Sequence, residues 1–207
     1  MQLPRPALSL TNTTNALSAV LASPLNIDKK AIEQALQTVK LAGRFDYRET
    51  HNRHWLFDVA HNEQGVEFLL AQLLPLWQQH LATHNSAHAL NQGSNQANRK
   101  PASIKMLFSM LGDKDINKVV QRLTEAGLPI SDWFIAEIDY PRAASTEQLQ
   151  SILASYADSA QIHEFKRLSE ATDAVINDSQ AQDLIVVCGS FHTIGEALAA
   201  LADDDLS

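Results

Sequence analysis

Cysteine is almost missing from this sequence: Cys188 is the single one in 207 residues. That excludes an internal disulfide framework and any cysteine-based zinc cluster, and it favours a reducing compartment. No apolar run approaches the roughly 18 residues a bilayer-spanning helix needs. The opening Met1-Gln2-Leu3-Pro4-Arg5-Pro6 also lacks the apolar core of a signal peptide. A cytoplasmic protein with no membrane partner is the expectation. No G-x-x-x-x-G-K-[ST] and no G-x-G-x-x-G string occurs, so the chain by itself carries neither a Walker A loop nor a dinucleotide fingerprint. Basic residues number 16 against 24 acidic ones, for a net charge of −8. With no long Lys/Arg run, nucleic acid is not an expected partner, although one local cationic site for a small anion remains open.

What is present suits a soluble α/β domain. The chain is 45% apolar and 19% charged, and at this size folding buries about 70% of the surface the unfolded chain exposes. Thr11 to Leu21 and Asp28 to Thr38 predict two short helices, the second with Asp28 as N-cap. They form a helical entry segment, residues 1–40, ahead of a domain at 41–207. Phe45 to Thr50 and Trp55 to Val59 predict a hairpin that feeds a buried strand. Val66, Leu69, Leu70, Leu73, Leu74 and Trp77 recur at helical spacing between Glu63 and Gln79. The polar stretch at about 79–101 has no apolar period and is expected to be a disordered insertion.

Beyond it, strands at Ile104 to Leu111, Trp133 to Ile138, Gln161 to Phe165 and Leu184 to Cys188 alternate with helices at Asp115 to Ala126, Ser145 to Ala157, Ser169 to Asn177 and Thr193 to Leu201. Such alternation implies right-handed crossovers. The expected fold is therefore α/β: a Rossmann-like three-layer domain with a mostly parallel sheet of about six strands, one of them antiparallel, and helices on both faces.

In open α/β sheets ligands bind at the carboxyl ends of the strands. Four loops there are polar: Asp58-Val59-Ala60-His61-Asn62, Gly112-Asp113-Lys114-Asp115, Asp139-Tyr140-Pro141-Arg142 and Gly189-Ser190-Phe191-His192. The same residues can equally cap the helices that follow. Gly-Ser-Phe-His lacks the second glycine of a nucleophile elbow. His61 and His192 have no third ligand at metal-site spacing, and no metal ligand is assigned. His80, His84 and His88 fall at i, i+4, i+8, but in a polar stretch, and are read as solvated.

Taken together, five strings are more specific. Leu-Ala-Gly-Arg-Phe (41–45), Phe-Asp-Val-Ala-His-Asn (57–62), Ser-Met-Leu-Gly-Asp-Lys-Asp (109–115), Tyr-Pro-Arg-Ala (140–143) and Val-Val-Cys-Gly-Ser-Phe-His-Thr (186–193) closely resemble the C-terminal domain of the folylpolyglutamate synthase/dihydrofolate synthase family. Asn12 to Leu17 is similar to the segment that leads into that domain. The family belongs with the Mur ligases, which activate a carboxylate as an acyl phosphate at the expense of ATP and Mg2+ and then join it to an amine. The resemblance implies an ATP-dependent ligase that adds L-glutamate to dihydropteroate and/or a reduced folate. Its N-terminal P-loop domain, with the residues that hold most of the Mg2+ site, lies outside this sequence, so a piece of a longer protein, inactive alone, is the expectation.

By the same resemblance Asn12, Arg44 and Asp58 serve ATP, and His61 and Ser190 serve catalysis and the glutamate, with Arg142 a further partner for the glutamate carboxylate. Glu63 stands where the family has proline. Two alternatives stay open: a non-catalytic α/β module that binds nucleotide or protein, and a Mur-type peptidoglycan ligase domain.

Overall fold

A computed structural model describes residues 3–4, 10–90, 100–158 and 161–204, with only the backbone described at 11, 85–90 and 203–204. Two helices come first, α1 (Leu10–Ala22) and α2 (Lys29–Thr38). Asp28 caps α2 by accepting the Ala31 N–H at 2.6 Å, as its sequence position predicts. The hairpin follows as β1 (Asp46–Thr50) and β2 (Arg53–Asp58). Its two turn residues, His51 and Asn52, have φ of 53° and 52°, the left-handed pair that matches the twist of a tight hairpin.

The rest alternates: α3 (Glu63–Leu90), β3 (Ile104–Phe108), α4 (Ile116–Glu125), β4 (Ile130–Ala136), α5 (Thr146–Leu153), β5 (Ile162–Phe165), α6 (Leu168–Asp178), β6 (Leu184–Cys188) and α7 (Phe191–Asp204). The six strands make one sheet in the order β1-β2-β6-β3-β4-β5, antiparallel only between β1 and β2. Strands β3 and β6 are buried at every position, as expected of central parallel strands covered on both faces.

Side chains alternate across that sheet and make two cores. Leu56, Met106, Phe108, Trp133 and Val186 face α3, α4 and α5. Trp55, Phe57, Leu107, Phe134 and Val187 face α6 and α7. The three-layer architecture expected from the sequence is the one observed. Helix α5 opens as a capping box would, with Ser145 accepting the Gln148 N–H at 3.2 Å.

Three departures are informative. The strand expected to reach Leu111 stops at Phe108, and Ser109 to Leu111 turn into the rim, where Ala144 N–H donates to the Met110 carbonyl at 2.9 Å. Helix α7 begins at Phe191, two residues early, because Ser190 rather than His192 sits before its first turn. The third departure is α3: residues 79–90, expected in a disordered insertion, are helical. His80 is buried there and Leu81 packs against the core, so the inward stripe of α3 continues through residues whose composition is polar. Residues 91–99, the remainder of that insertion apart from the two at its end, lie outside the described residues.

Candidate functional site

The carboxyl ends of β2, β6 and β3 lie side by side, and the loops leaving them are bonded into one rim. Asp58 ends β2, is 4% exposed and accepts the Phe45 N–H at 2.8 Å. Burial pushes its carboxyl above the ordinary aspartate value, while the Phe45 and Ala60 amides and the Arg44 and His61 charges pull the other way. Asp58 thus holds the 41–45 turn against the sheet, helped by the Val59 N–H donating to the Gly43 carbonyl at 2.9 Å. Gly43 (φ +71°) is required in that turn, since a Cβ there would lie 2.9 Å from Ile194 Cγ2.

The turn presents Arg44. Its guanidinium stands 5.2 Å from the centre of the Phe191 ring, and among the described residues it makes no ion pair. Phe191 is itself 60% exposed. A cation with no carboxylate in ion-pair contact, beside an exposed aromatic ring, can hold an anion and a flat ring together. Phe191 is a residue the sequence reading passed over. Its place just after Gly189-Ser190, at the first turn of a helix, was the available signal.

His61 follows Asp58 and is half-buried. Its Nδ1 lies 2.7 Å from the Val59 carbonyl, which, if Nδ1 carries the proton, leaves Nε2 as the free acceptor. Asn62 caps α3 by accepting the Gly65 N–H at 2.8 Å. Glu63, where the resembled family has proline, pairs with Arg122 and reaches Lys118 at 3.7 Å, tying α3 to α4.

Ser190 is 6% exposed, and its Oγ is engaged: 2.8 Å from Thr193 Oγ1, and accepting the Thr193 N–H at 3.1 Å. It caps α7, so the capping reading of this loop holds in the structure. Thr193 Oγ1 lies 2.9 Å from the Ser109 carbonyl, a contact that fastens the β6 turn to the end of β3. Arg142 is not a free cation. Its Nη1 donates to Asp113 Oδ2 at 2.6 Å and its head lies over the Tyr140 ring, so a ligand carboxylate there has to displace or share Asp113. Tyr140 stacks on His192 with 4.0 Å between ring centres, joining the β4 loop to α7.

Asn12 is exposed on α1 and lines an apolar groove of about 410 Å3 between α1 and α2. That groove extends to Leu41, whose carbonyl accepts the Arg44 N–H at 3.0 Å. The rim unites Arg44, Asp58, His61 and Ser190, with Arg142 at its side, and Asn12 belongs to the groove.

An open α/β sheet with a polar rim at its switch point defines a ligand-binding domain. No family model matches the chain. In sequence and fold it matches the C-terminal part of bifunctional dihydrofolate synthase/folylpolyglutamate synthases. The Escherichia coli enzyme is 29% identical over 96% of the chain. The solved E. coli FolC in complex with ADP superimposes with a TM-score of 0.72 at 27% identity over 99% of the chain. A bifunctional synthase with Mn, AMPPNP and L-glutamate bound superimposes with a TM-score of 0.73 at 29% identity over 98% of the chain. The chain spans only about 40% of the length of these relatives.

Proposed function

We propose that this chain is the nucleotide-closing, glutamate-presenting part of an ATP-dependent amide ligase that adds L-glutamate to dihydropteroate and/or reduced folates. One observation carries the reading: likeness in both sequence and fold along nearly the whole chain to enzymes of that name, one of them solved with a nucleotide and L-glutamate bound. The mechanism is of the Mur ligase type, the metal is Mg2+, and the compartment is the cytoplasm. ATP, held with Mg2+ largely by an N-terminal P-loop domain, supplies the phosphoryl group that activates the pteroate or folate carboxylate for attack by the glutamate amine.

The residues of this chain bind and orient. Arg44 offers a forked cation to phosphate oxygens, and Phe191 offers a plane to the base. Asp58 positions Arg44 through the Phe45 amide. With its free nitrogen at the rim, His61 can take a proton from the incoming ammonium or orient the glutamate. The Ser190 turn fixes the first amides of α7, which favour a carboxylate. Arg142, released from Asp113, is the further cation for glutamate.

The test is a chimera in which this chain replaces the C-terminal part of the E. coli enzyme, assayed for ATP-dependent joining of radiolabelled glutamate to dihydropteroate. The chain alone should turn over no ATP, because phosphoryl transfer depends on positioning and charge that the P-loop domain supplies. The chimera should be active, and Arg44→Ala in it should lower kcat/KM for ATP by about 10- to 1,000-fold. A folded chimera with no ligation removes the proposal, and an unchanged ATP dependence removes Arg44 from the site.

A further inference from the structure

We propose that His54, His80 and His84 form a binding site for one divalent transition-metal ion of the zinc type, fastening the end of α3 to the β1–β2 hairpin. The three residues come from two elements. His54 is the second residue of β2, toward the other end of that strand from Asp58, and lies on the same face as its neighbour-but-one Leu56. His80 and His84 stand one helical turn apart on α3 and therefore share a face, the i, i+4 arrangement that lets two imidazoles reach one ion.

Ring centres are 4.8 Å apart for His54 and His80, 4.9 Å for His54 and His84, and 4.4 Å for His80 and His84. One nitrogen from each ring falls within 4.8 Å of the other two. Three imidazoles on a tetrahedral ion, at about 2.0–2.1 Å each, need nitrogens about 3.3–3.4 Å apart, so small side-chain rotations close the site.

The outer contacts are those of a ligand set. His80 Nε2 lies 2.8 Å from the Gln182 carbonyl, so that as donor it leaves Nδ1 to bind. His54 Nδ1 lies 2.7 Å from Tyr47 Oη, and Tyr47 donates to Glu49 Oε1 at 3.4 Å. That chain of carboxylate, phenol and imidazole leaves His54 Nε2 facing inward.

Packing alone does not account for the arrangement. His80 is 6% exposed, stacked on Trp77, and spends a buried polar ring where a leucine would fill the α3 stripe. His84, half-buried, leaves the ion a way in. The expectation that these histidines are solvated is thereby corrected for His80, while the side chain of His88 lies outside the described residues.

The test uses the whole chain without a histidine tag, titrated with ZnCl2 by calorimetry and with CoCl2 by absorbance. Expected are one tight equivalent, the d–d bands of a tetrahedral nitrogen-ligated Co2+ ion, and a Tm raised by about 5 °C when free Zn2+ is about 100 times Kd. His84→Ala, chosen because the side chain is only half-buried, should keep the metal-free Tm and weaken binding at least about 100-fold. His54→Gln should do the same to binding. No stoichiometric binding, or binding that survives both substitutions as adventitious capture by other histidines would, overturns the proposal.

Discussion

At the residue scale the rim is most constrained at Gly189. Its φ is +133°, and a Cβ there would lie 1.8 Å from the Ser109 carbonyl oxygen, a main-chain atom that cannot step aside. Gly189→Ala should therefore cost at least about 3 kcal/mol, combining backbone strain with a steric clash between adjacent strand ends. Urea unfolding of the isolated chain measures it, and a loss within 1 kcal/mol would show that the β6 turn can be rebuilt. The glycine was visible in the sequence, next to Ser190, but what makes it obligatory was not. The carbonyl it approaches belongs to a residue 80 positions earlier, brought there by the placing of β6 beside β3. The Arg142–Asp113 pair, 29 residues apart, was hidden for the same reason, whereas the capping of Thr193 by Ser190, three residues before it, was one of the readings the sequence left open. Residue types and loop positions are local facts, whereas the partners that occupy them are not.

At the scale of elements, Asp132 and Lys105 tie four of them together at the opposite edge of the sheet. Lys105 Nζ on β3 donates to Asp132 Oδ2 on β4 at 2.5 Å and to Asp178 Oδ2 on α6 at 2.6 Å, and His163 Nε2 on β5 lies 3.0 Å from Asp132 Oδ1. Burial alone would raise Asp132, but hydrogen bonds from His163, Lys105 and Ser131 outweigh it and hold the carboxyl at about 2. A folded-state value below the unfolded one makes the contribution complete above pH 3.8 and lost as pH falls from there toward 2. Stability should drop across that window by on the order of 1 kcal/mol from this group, solvent screening having been allowed for. Asp132→Asn should flatten the slope, and urea midpoints at pH 5, 4, 3 and 2 would reveal an unchanged slope if the group is idle.

Elements of this kind were largely legible: Asp28, Ser145 and the i, i+3, i+4 stripes place α2 and the starts of α5 and α3 within a residue or two, while α5 ends four residues earlier than its pattern suggests. The far half of α3 was not. Its inward positions are occupied by His80 and His84, which a hydropathy pattern counts as polar although the fold buries one and half-buries the other.

For the whole molecule, the sparse burial of the two N-terminal helices is the feature with the clearest energetic consequence. Among the described residues of α1 and α2 only Ile32 is buried, while Leu10 and Leu21 on α1, and Leu25, Ile27 and Val39 in the segments beside the helices, are all more than a third exposed. A groove lined by Leu17, Val20, Ile32 and Leu36 runs between the helices. The α/β domain, by contrast, closes both of its cores with its own residues. Removing residues 1–40 should therefore leave a cooperatively folded 41–207 domain with a Tm within about 3 °C of the whole chain, since little apolar surface is given up. A loss of cooperative unfolding on truncation would make the helices part of the core.

Under the proposed function, the N-terminal P-loop domain of the ligase would cover this apolar face. Replacing Leu17 and Leu36 together with Asp should accordingly spare the Tm of the isolated chain, yet lower the activity of the chimera about 10-fold or more, because two leucines are worth roughly 3 kcal/mol or more when buried. Equal losses in both measurements would place these side chains in the fold of this domain; a loss confined to the chimera would place them at the junction.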